Sequence, residues 1–436
     1  MTDQPAQARA SDLNALSFRR IRESPDASAD LSRSPGQSRR RLVTAFAPRP
    51  SLASLPRCPH YASLDFFRGV ACLLVVVFHS FFYVARPESG IGNVLVRVVA
   101  LFWAGVPLFF VISGYCIAAS VDSHRRSDKT IGDYFVRRFR RIFPPYWIVL
   151  AATVAAITLC DQFGGLALFS DTNHGFPLPR SVGIEQWLGN AALIEQWRPR
   201  VGSDVGRWVL GQAWSLSYEE QFYAVMGAVL LVARRRMFAA AVGITCASVV
   251  ARHAALAAGI SIDGFFFDGY WPMFAWGILV YWQANYGSRE TLWTSFGLLG
   301  LGLLYCMRDS SGVIDLMRHP GTDQSVFLGT LAAAMLLAVH PFDSSVSRAR
   351  WSGPIAYCGQ RCYSLYLVHW PVTKAISHVM SNAGYAAPLP TALVTAPLCV
   401  ACSLLVASIF YTYVERPFQR AGIQRHFQRP IHMRAT

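Results

Sequence analysis

The sequence predicts an all-α fold, a polytopic membrane helical bundle of about ten transmembrane helices with both termini cytosolic. Three observations predict it. Of 436 residues, 53% are hydrophobic and only 15% charged, too little polar surface to coat a soluble globule of that size. The hydrophobic residues gather into separate runs, most of them close to the roughly 20 residues that a bilayer crossing needs. The 40 lysines and arginines stand in short blocks between those runs. Their distribution makes the net charge of +15 a topology signal, and no nucleic-acid partner is expected.

Residues 1–62 are rich in Arg, Ser, Pro, Ala and Asp, show no hydrophobic periodicity, and predict a disordered basic cytosolic tail. This polar start argues against a cleaved signal peptide, so the first apolar run acts as an uncleaved anchor. A membrane domain follows over 63–420, then a short basic cytosolic tail over 421–436. Crossings are expected at 66–86, 94–119, 142–160, 214–233, 237–258, 264–283, 291–307, 324–340, 362–381 and 391–413. The third opens on Pro144 and Pro145, and Asp268 and Pro272 interrupt the sixth.

With the N-terminus inside, the cytosolic segments hold about 29 Lys and Arg against about 7 on the other side, the asymmetry of positive-inside sorting. The long extramembrane loop 161–213 then lies outside, and its Trp187, Trp197 and Trp208 are of the kind that stacks on sugar faces. An inverted-repeat transporter lacks its pointer here, because no internal repeat is present. The ten cysteines show neither a disulfide framework nor zinc spacing, and no metal is expected. Cys399 and Cys402 have redox-motif spacing but stand in a continuous apolar run, where cysteine is a small hydrophobe.

Ionisable residues inside the runs carry the chemistry. Arg68 and His79, eleven residues apart, share one helix face and lie about 16 Å apart along the axis. Ser113 and Gly114 stand between bulky aromatics, where small residues admit a neighbouring helix or a thin ligand. Arg137, Arg138, Arg140 and Arg141 run straight into a crossing. Such a cluster sorts topology, touches anionic lipid, or offers guanidinium forks to a phosphate-rich ligand. Trp214-Ser215-Leu216-Ser217-Tyr218-Glu219-Glu220 opens the fourth crossing at the depth of His79, so one carboxylate there is placed to orient that imidazole. Tyr366 and His369 share a face of the ninth crossing, five and two residues before Pro371. Glu415 and Arg416 close the tenth, where a helix-end ion pair is the simplest reading.

Taken in order, Leu64-Asp65-Phe66-Phe67-Arg68-Gly69 with His79, Leu108 to Gly114, Arg137 to Pro144, Trp214 to Glu219, Tyr363 to Pro371 and Glu415-Arg416-Pro417-Phe418 resemble the acyltransferase-3 family of membrane O-acyltransferases. The resemblance covers about residues 61 to 420. It implies transfer of an acetyl or other short acyl group from cytosolic acyl-coenzyme A to a hydroxyl of an extracytoplasmic glycan or glycolipid, at the cell membrane. Arg68, His79 and Glu219 match the family's signature residues and are the catalytic candidates. Arg137, Arg138, Arg140, Arg141, Ser113 and Gly114 are expected toward the donor. Trp214, Glu220, Tyr366 and His369 are expected toward the acceptor. The resemblance also implies the short form of the family, without an appended esterase-like domain, and no permanently bound cofactor. Two other classes fit the membrane charges alone: a transporter or flippase of a lipid-linked glycan, and a non-catalytic scaffold.

The charge asymmetry sets a test. A topology reporter fused after Arg141 or Arg236 should read cytosolic, and one inside 165–205 extracytoplasmic; the reverse pattern would invert the orientation and put His79 near the cytosolic face.

Overall fold

The computed structural model describes residues 61–84, 89–127, 130–163, 176–197, 208–260, 264–307 and 321–419. Apart from Tyr61 and Ala62, the two expected tails lie outside the described residues. Among the described residues all regular structure is helical. The helices are α1 (Leu64–Ser80), α2 (Gly90–Ala100), α3 (Gly105–Arg125), α4 (Ile131–Gln162), α5 (Ile184–Ala192), α6 (Ala213–Val232) and α7 (Met237–Ala257). They continue with α8 (Trp271–Tyr286), α9 (Arg289–Met307), α10 (Thr322–Val339), α11 (Asp343–Arg348), α12 (Ser352–Gln360), α13 (Cys362–Met380) and α14 (Ala396–Phe410).

Five helical stretches are long and apolar enough to cross a membrane: Gly90–Arg125, Ile131–Gln162, Arg234–Ala257, Thr322–Arg348 and Pro388–Gln419. The chain is a membrane protein. The other five expected crossings are also helical, as α1, α6, α8, α9 and α13, but do not reach that length and hydropathy.

Two helices begin where the apolar runs do not. α4 starts at Ile131, eleven residues before the expected 142, because a capping box fixes it there: Asp133 N–H donates to Thr130 Oγ1 (3.3 Å) and Thr130 N–H to Asp133 Oδ2 (2.9 Å). The helix then runs through Pro144 and Pro145, which remove two bonds without ending it. α8 starts at Trp271, not 264, because the chain before it is a turn. Gly264 and Gly269 adopt φ values of 96° and 126°, and Gly264 N–H donates to Asp268 Oδ2 at 2.9 Å. Pro272 then falls in the first turn of α8, where its missing N–H costs nothing.

Glycines set the closest helix approaches. A Cβ built on Gly277 of α8 would lie 2.0 Å from the Val111 carbonyl oxygen of α3, and one on Gly114 would lie 2.1 Å from that of Phe274. α1 meets α12 in the same way, Gly359 against the Asp65 carbonyl oxygen at 1.6 Å and Gly69 against that of Ile355 at 2.0 Å. Backbones in contact are the membrane solution to packing where apolar burial between helices gains little over lipid.

At the start of α13, the Ser364 N–H donates to the buried Glu415 carboxylate at 3.1 Å, and the Ser364 hydroxyl donates to the same oxygen. Glu415 therefore anchors the first turn of the helix that carries His369, in place of the helix-end ion pair read from its sequence neighbour Arg416. Gln419 Nε2 donates to its other oxygen at 2.7 Å.

These contacts set a stability test. Gly277→Ala should lower the thermal midpoint in detergent by the equivalent of about 1–3 kcal/mol, the usual cost of overpacking. Gly297→Ala, whose Cβ meets nothing within 4 Å, should be neutral or raise it through helix propensity. Equal midpoints for the two variants would dissolve the crossing argument.

Candidate functional site

α1 and α13 bring two histidines together. His79 Nδ1 lies 3.2 Å from His369 Nε2, with the ring centroids 5.1 Å apart. His369 Nδ1 faces the carbonyl oxygens of Tyr366 (2.7 Å) and Leu365 (3.2 Å). Carbonyls only accept, so His369 carries its proton on Nδ1, and in the neutral ring Nε2 is an acceptor. His79 must then donate from Nδ1, leaving the lone pair on its Nε2. The imidazole expected to be oriented by a carboxylate is oriented by a second imidazole.

His79 and His369 line a cavity of about 390 Å³ between α1, α3, α6, α8 and α13. Its walls carry many aromatic rings, including Phe82, Phe109, Trp214, Tyr270, Tyr366 and Trp370. The Trp370 indole rests on Gly211, where a Cβ would lie 2.2 Å from Cζ2. Its centroid is 4.9 Å from that of His79, and the buried Lys374 ammonium sits 4.9 Å from it and 4.6 Å from the Phe176 ring. Tyr366 stacks on Phe109, shares a hydrogen bond with Ser215 Oγ (3.0 Å) and donates to the Gln212 carbonyl. Gln212 Nε2 in turn donates to the Leu367 carbonyl at 2.9 Å, so the start of α6 is stitched to the middle of α13.

One turn beyond Ser215, Glu219 lies in a second polar layer. Its Oε1 accepts from Ser113 Oγ at 2.9 Å and from the Tyr223 hydroxyl. The Arg138 guanidinium sits 4.2 Å from the Tyr223 ring centroid. Ser215, Glu219 and Tyr223 are four residues apart on α6 and form a polar stripe from the cavity to the arginine cluster. Glu219 is thus not the partner of His79; its burial is explained by two hydroxyl donors and the neighbouring Arg138. Glu220 lies beside it with a buried Oε1 that has no hydrogen-bond partner, away from the cavity lining.

Arg68 stands at the other end of α1, its Nη1 on Asp65 at 2.8 Å and its Nη2 2.7 Å from Cys116 Sγ. Cys72, between Arg68 and His79 on the same face, lines the cavity. Gly114, expected toward a ligand, faces α8 instead, since its position is filled by the backbone of Phe274. Arg137 donates to the Asp133 carbonyl at 3.0 Å and approaches His124 Nδ1 at 2.8 Å. Arg138 and Arg140 are half-buried, while Arg137 and Arg141 are exposed.

Of the sequence candidates, His79, His369, Tyr366 and Trp214 meet at the cavity, and Ser113, Glu219, Glu220 and Arg138 form the layer beyond it. Sequence reasoning missed Gln212, Ser215, Trp370 and Lys374 as individual residues. Lys374, an ionisable side chain within an apolar run, was the one with a readable signal.

A model of the acyltransferase-3 family, described as an acyltransferase domain, matches residues 61–412. The exopolysaccharide production protein ExoZ of Rhizobium meliloti is 27% identical over 329 residues, covering 74% of this chain and 91% of that protein. The acyltransferase MdmB of Streptomyces mycarofaciens is 24% identical, covering 84% of this chain and 93% of that protein. The peptidoglycan O-acetyltransferase OatA of Listeria monocytogenes is 20% identical over 84% of this chain, which spans only 57% of OatA. No solved structure matches.

The second polar layer sets its own test. Glu219→Ala strands two buried hydroxyl donors and should lower stability by about 1–3 kcal/mol, whereas Glu219→Gln keeps an acceptor in place and should cost less. Thermal melts of the two variants that coincide would show that Ser113 and Tyr223 do not depend on that carboxylate.

Proposed function

This chain belongs to the acyltransferase-3 family, and from that premise we propose that it moves an acetyl or other short acyl group from cytosolic acyl-coenzyme A to a hydroxyl of an extracytoplasmic glycan or glycolipid. The observation that carries the proposal is the His369–His79 pair, which leaves the Nε2 lone pair of His79 for an acceptor in an aromatic-lined cavity. The ten long helices are read as ten crossings of the cell membrane, with the arginine cluster on the cytosolic face. The glycan acceptor is supported by the many aromatic rings around His79, which suit the C–H faces of sugars, and by the relatives' printed names.

In this reading the phosphates of the donor bind at Arg137, Arg138, Arg140 and Arg141, whose guanidinium groups suit phosphate forks. The stripe Tyr223, Glu219, Ser215 and the row Arg68, Cys72, His79 mark two sides of the route from that cluster to the cavity. The acceptor hydroxyl gives its proton to His79 Nε2 as its oxygen attacks the thioester carbonyl. The carbonyl–sulfur bond breaks, the new ester leaves with the acyl group, and the thiolate takes the proton back from His79. His369 acts through His79: by accepting from Nδ1–H it fixes the tautomer and disperses positive charge while the ring holds the extra proton.

Purified protein given acyl-coenzyme A and a surface glycan should consume thioester and acylate the glycan; a transporter would do neither. His79→Ala should keep donor binding yet lose the 10²- to 10⁴-fold typical of a missing general base. His369→Ala should lose less, and the double variant should be little worse than His79→Ala alone, since the two act as a unit. Near-normal transfer by correctly inserted His79→Ala would place the base elsewhere. An acyl group trapped on His79 with donor alone would turn the base into a carrier.

A further inference from the structure

A second cavity, of about 280 Å³, lies between α7, α8, α9 and α10, apart from the histidine pair. It is sorted by depth. At one end Arg252 Nη1 donates to Asp323 Oδ1 at 2.9 Å, and the Tyr305 hydroxyl bonds His253 Nε2. Arg252 follows Arg236 by sixteen residues of α7, about 24 Å of helix. The polar end is therefore at the membrane face opposite the Arg234–Arg236 turn, near headgroup depth for a hydrocarbon layer about 30 Å thick. Deeper in, the wall is Leu298, Leu301 and Trp276. Leu298 and Leu301 are exposed, so the cavity opens toward lipid. Trp276 lines this apolar part, and its Nε1–H is buried without a hydrogen-bond partner. No bulk water reaches such a group at membrane depth, so its unmet N–H is a donor left for a ligand.

We infer that this cavity holds a glycerophospholipid with a primary-ammonium headgroup, of the phosphatidylethanolamine type. Its phosphate lies on Arg252, which has five N–H donors and uses one on Asp323. Its ammonium lies on Asp323, so the guanidinium–carboxylate pair meets a phosphate–ammonium pair of opposite order. An ester carbonyl, deeper than the phosphate by the build of the lipid, accepts from Trp276, and an acyl chain runs along Leu298 and Leu301. A polyprenyl phosphate offers the phosphate but no carbonyl at the depth of Trp276. The inference does not rest on the acyl-transfer reading.

The test is native mass spectrometry of the full chain in detergent, titrated with phosphatidylethanolamine, phosphatidylglycerol or polyprenyl phosphate. One phosphatidylethanolamine should be retained, in preference to the other two, and inorganic phosphate should not displace it. Arg252→Gln should weaken retention about tenfold, as for loss of a charge-assisted contact. Trp276→Phe, which keeps the packing of the ring, should weaken it about fivefold. Asp323→Asn should abolish the preference over phosphatidylglycerol while leaving binding. Equal retention by wild type and Trp276→Phe, preference for polyprenyl phosphate, or displacement by inorganic phosphate would each overturn the inference.

Discussion

A polar side chain at membrane depth has no water to turn to, so its partner has to be built into the protein. The inward faces of these helices follow from that constraint. Tyr366 finds Ser215 and the Gln212 carbonyl, Glu219 finds Ser113 and Tyr223, Glu415 finds Ser364, and His79 finds His369. Apart from Glu219–Tyr223, which lies within α6, each pair joins two helices that are far apart in sequence, so satisfying the polar groups also fixes the register of the bundle. The glycine crossings work with this: Gly114 on Gly277 brings α3 and α8 to backbone contact, and Gly69 and Gly359 do the same for α1 and α12. Close packing sets the distances at which such hydrogen bonds form.

The fold was legible where a single run of apolar residues decides the outcome. All ten expected crossings coincide with helices, because hydropathy reports the solvent that a segment prefers. Boundaries set by local hydrogen bonds were less legible. The start of α4 depends on Thr130 and Asp133, a capping pair lying twelve and nine residues before the apolar run. Pro144 and Pro145 read as a boundary, yet the helix carries them. α8 loses its first turns to a glycine-framed loop tied to Asp268, in which apolar Phe265, Phe266 and Phe267 had extended the hydropathy signal.

At the candidate site, the residues were legible and most of their pairings were not. An ionisable or hydroxyl side chain within an apolar run marks itself, which is how Arg68, His79, Glu219 and His369 were chosen. Who faces whom depends on helix rotation and crossing angle, to which one sequence gives no access. Glu219 and His79 shared an expected depth, and depth alone suggested a dyad. The rotation of α6 turns Glu219 toward α3, so Ser113 becomes its partner, while His369 reaches His79 from α13. The same rotation of α3 explains Gly114, whose neighbour Ser113 faces the polar column while Gly114 itself faces α8.

The choice of a second imidazole over a carboxylate has a physical consequence for the proposed reaction. A carboxylate beside His79 would carry a full charge within the aromatic cavity, and burying an ion there costs several kcal/mol unless a cation meets it. The Glu219 carboxylate stands instead one layer away, where it accepts from the Ser113 and Tyr223 hydroxyls and Arg138 lies against the Tyr223 ring. A neutral imidazole pair brings no net charge into the cavity, and its protons are already directed by backbone carbonyls that cannot donate. In the proposed reaction His79 Nε2 then keeps its lone pair for the acceptor's proton before any substrate arrives. Its extra proton is held only while the thiolate forms, a negative charge close enough to favour its return. Keeping the carboxylates in a separate layer lets the cavity stay apolar enough for a sugar face or an acyl chain, yet leaves one imidazole nitrogen at its wall.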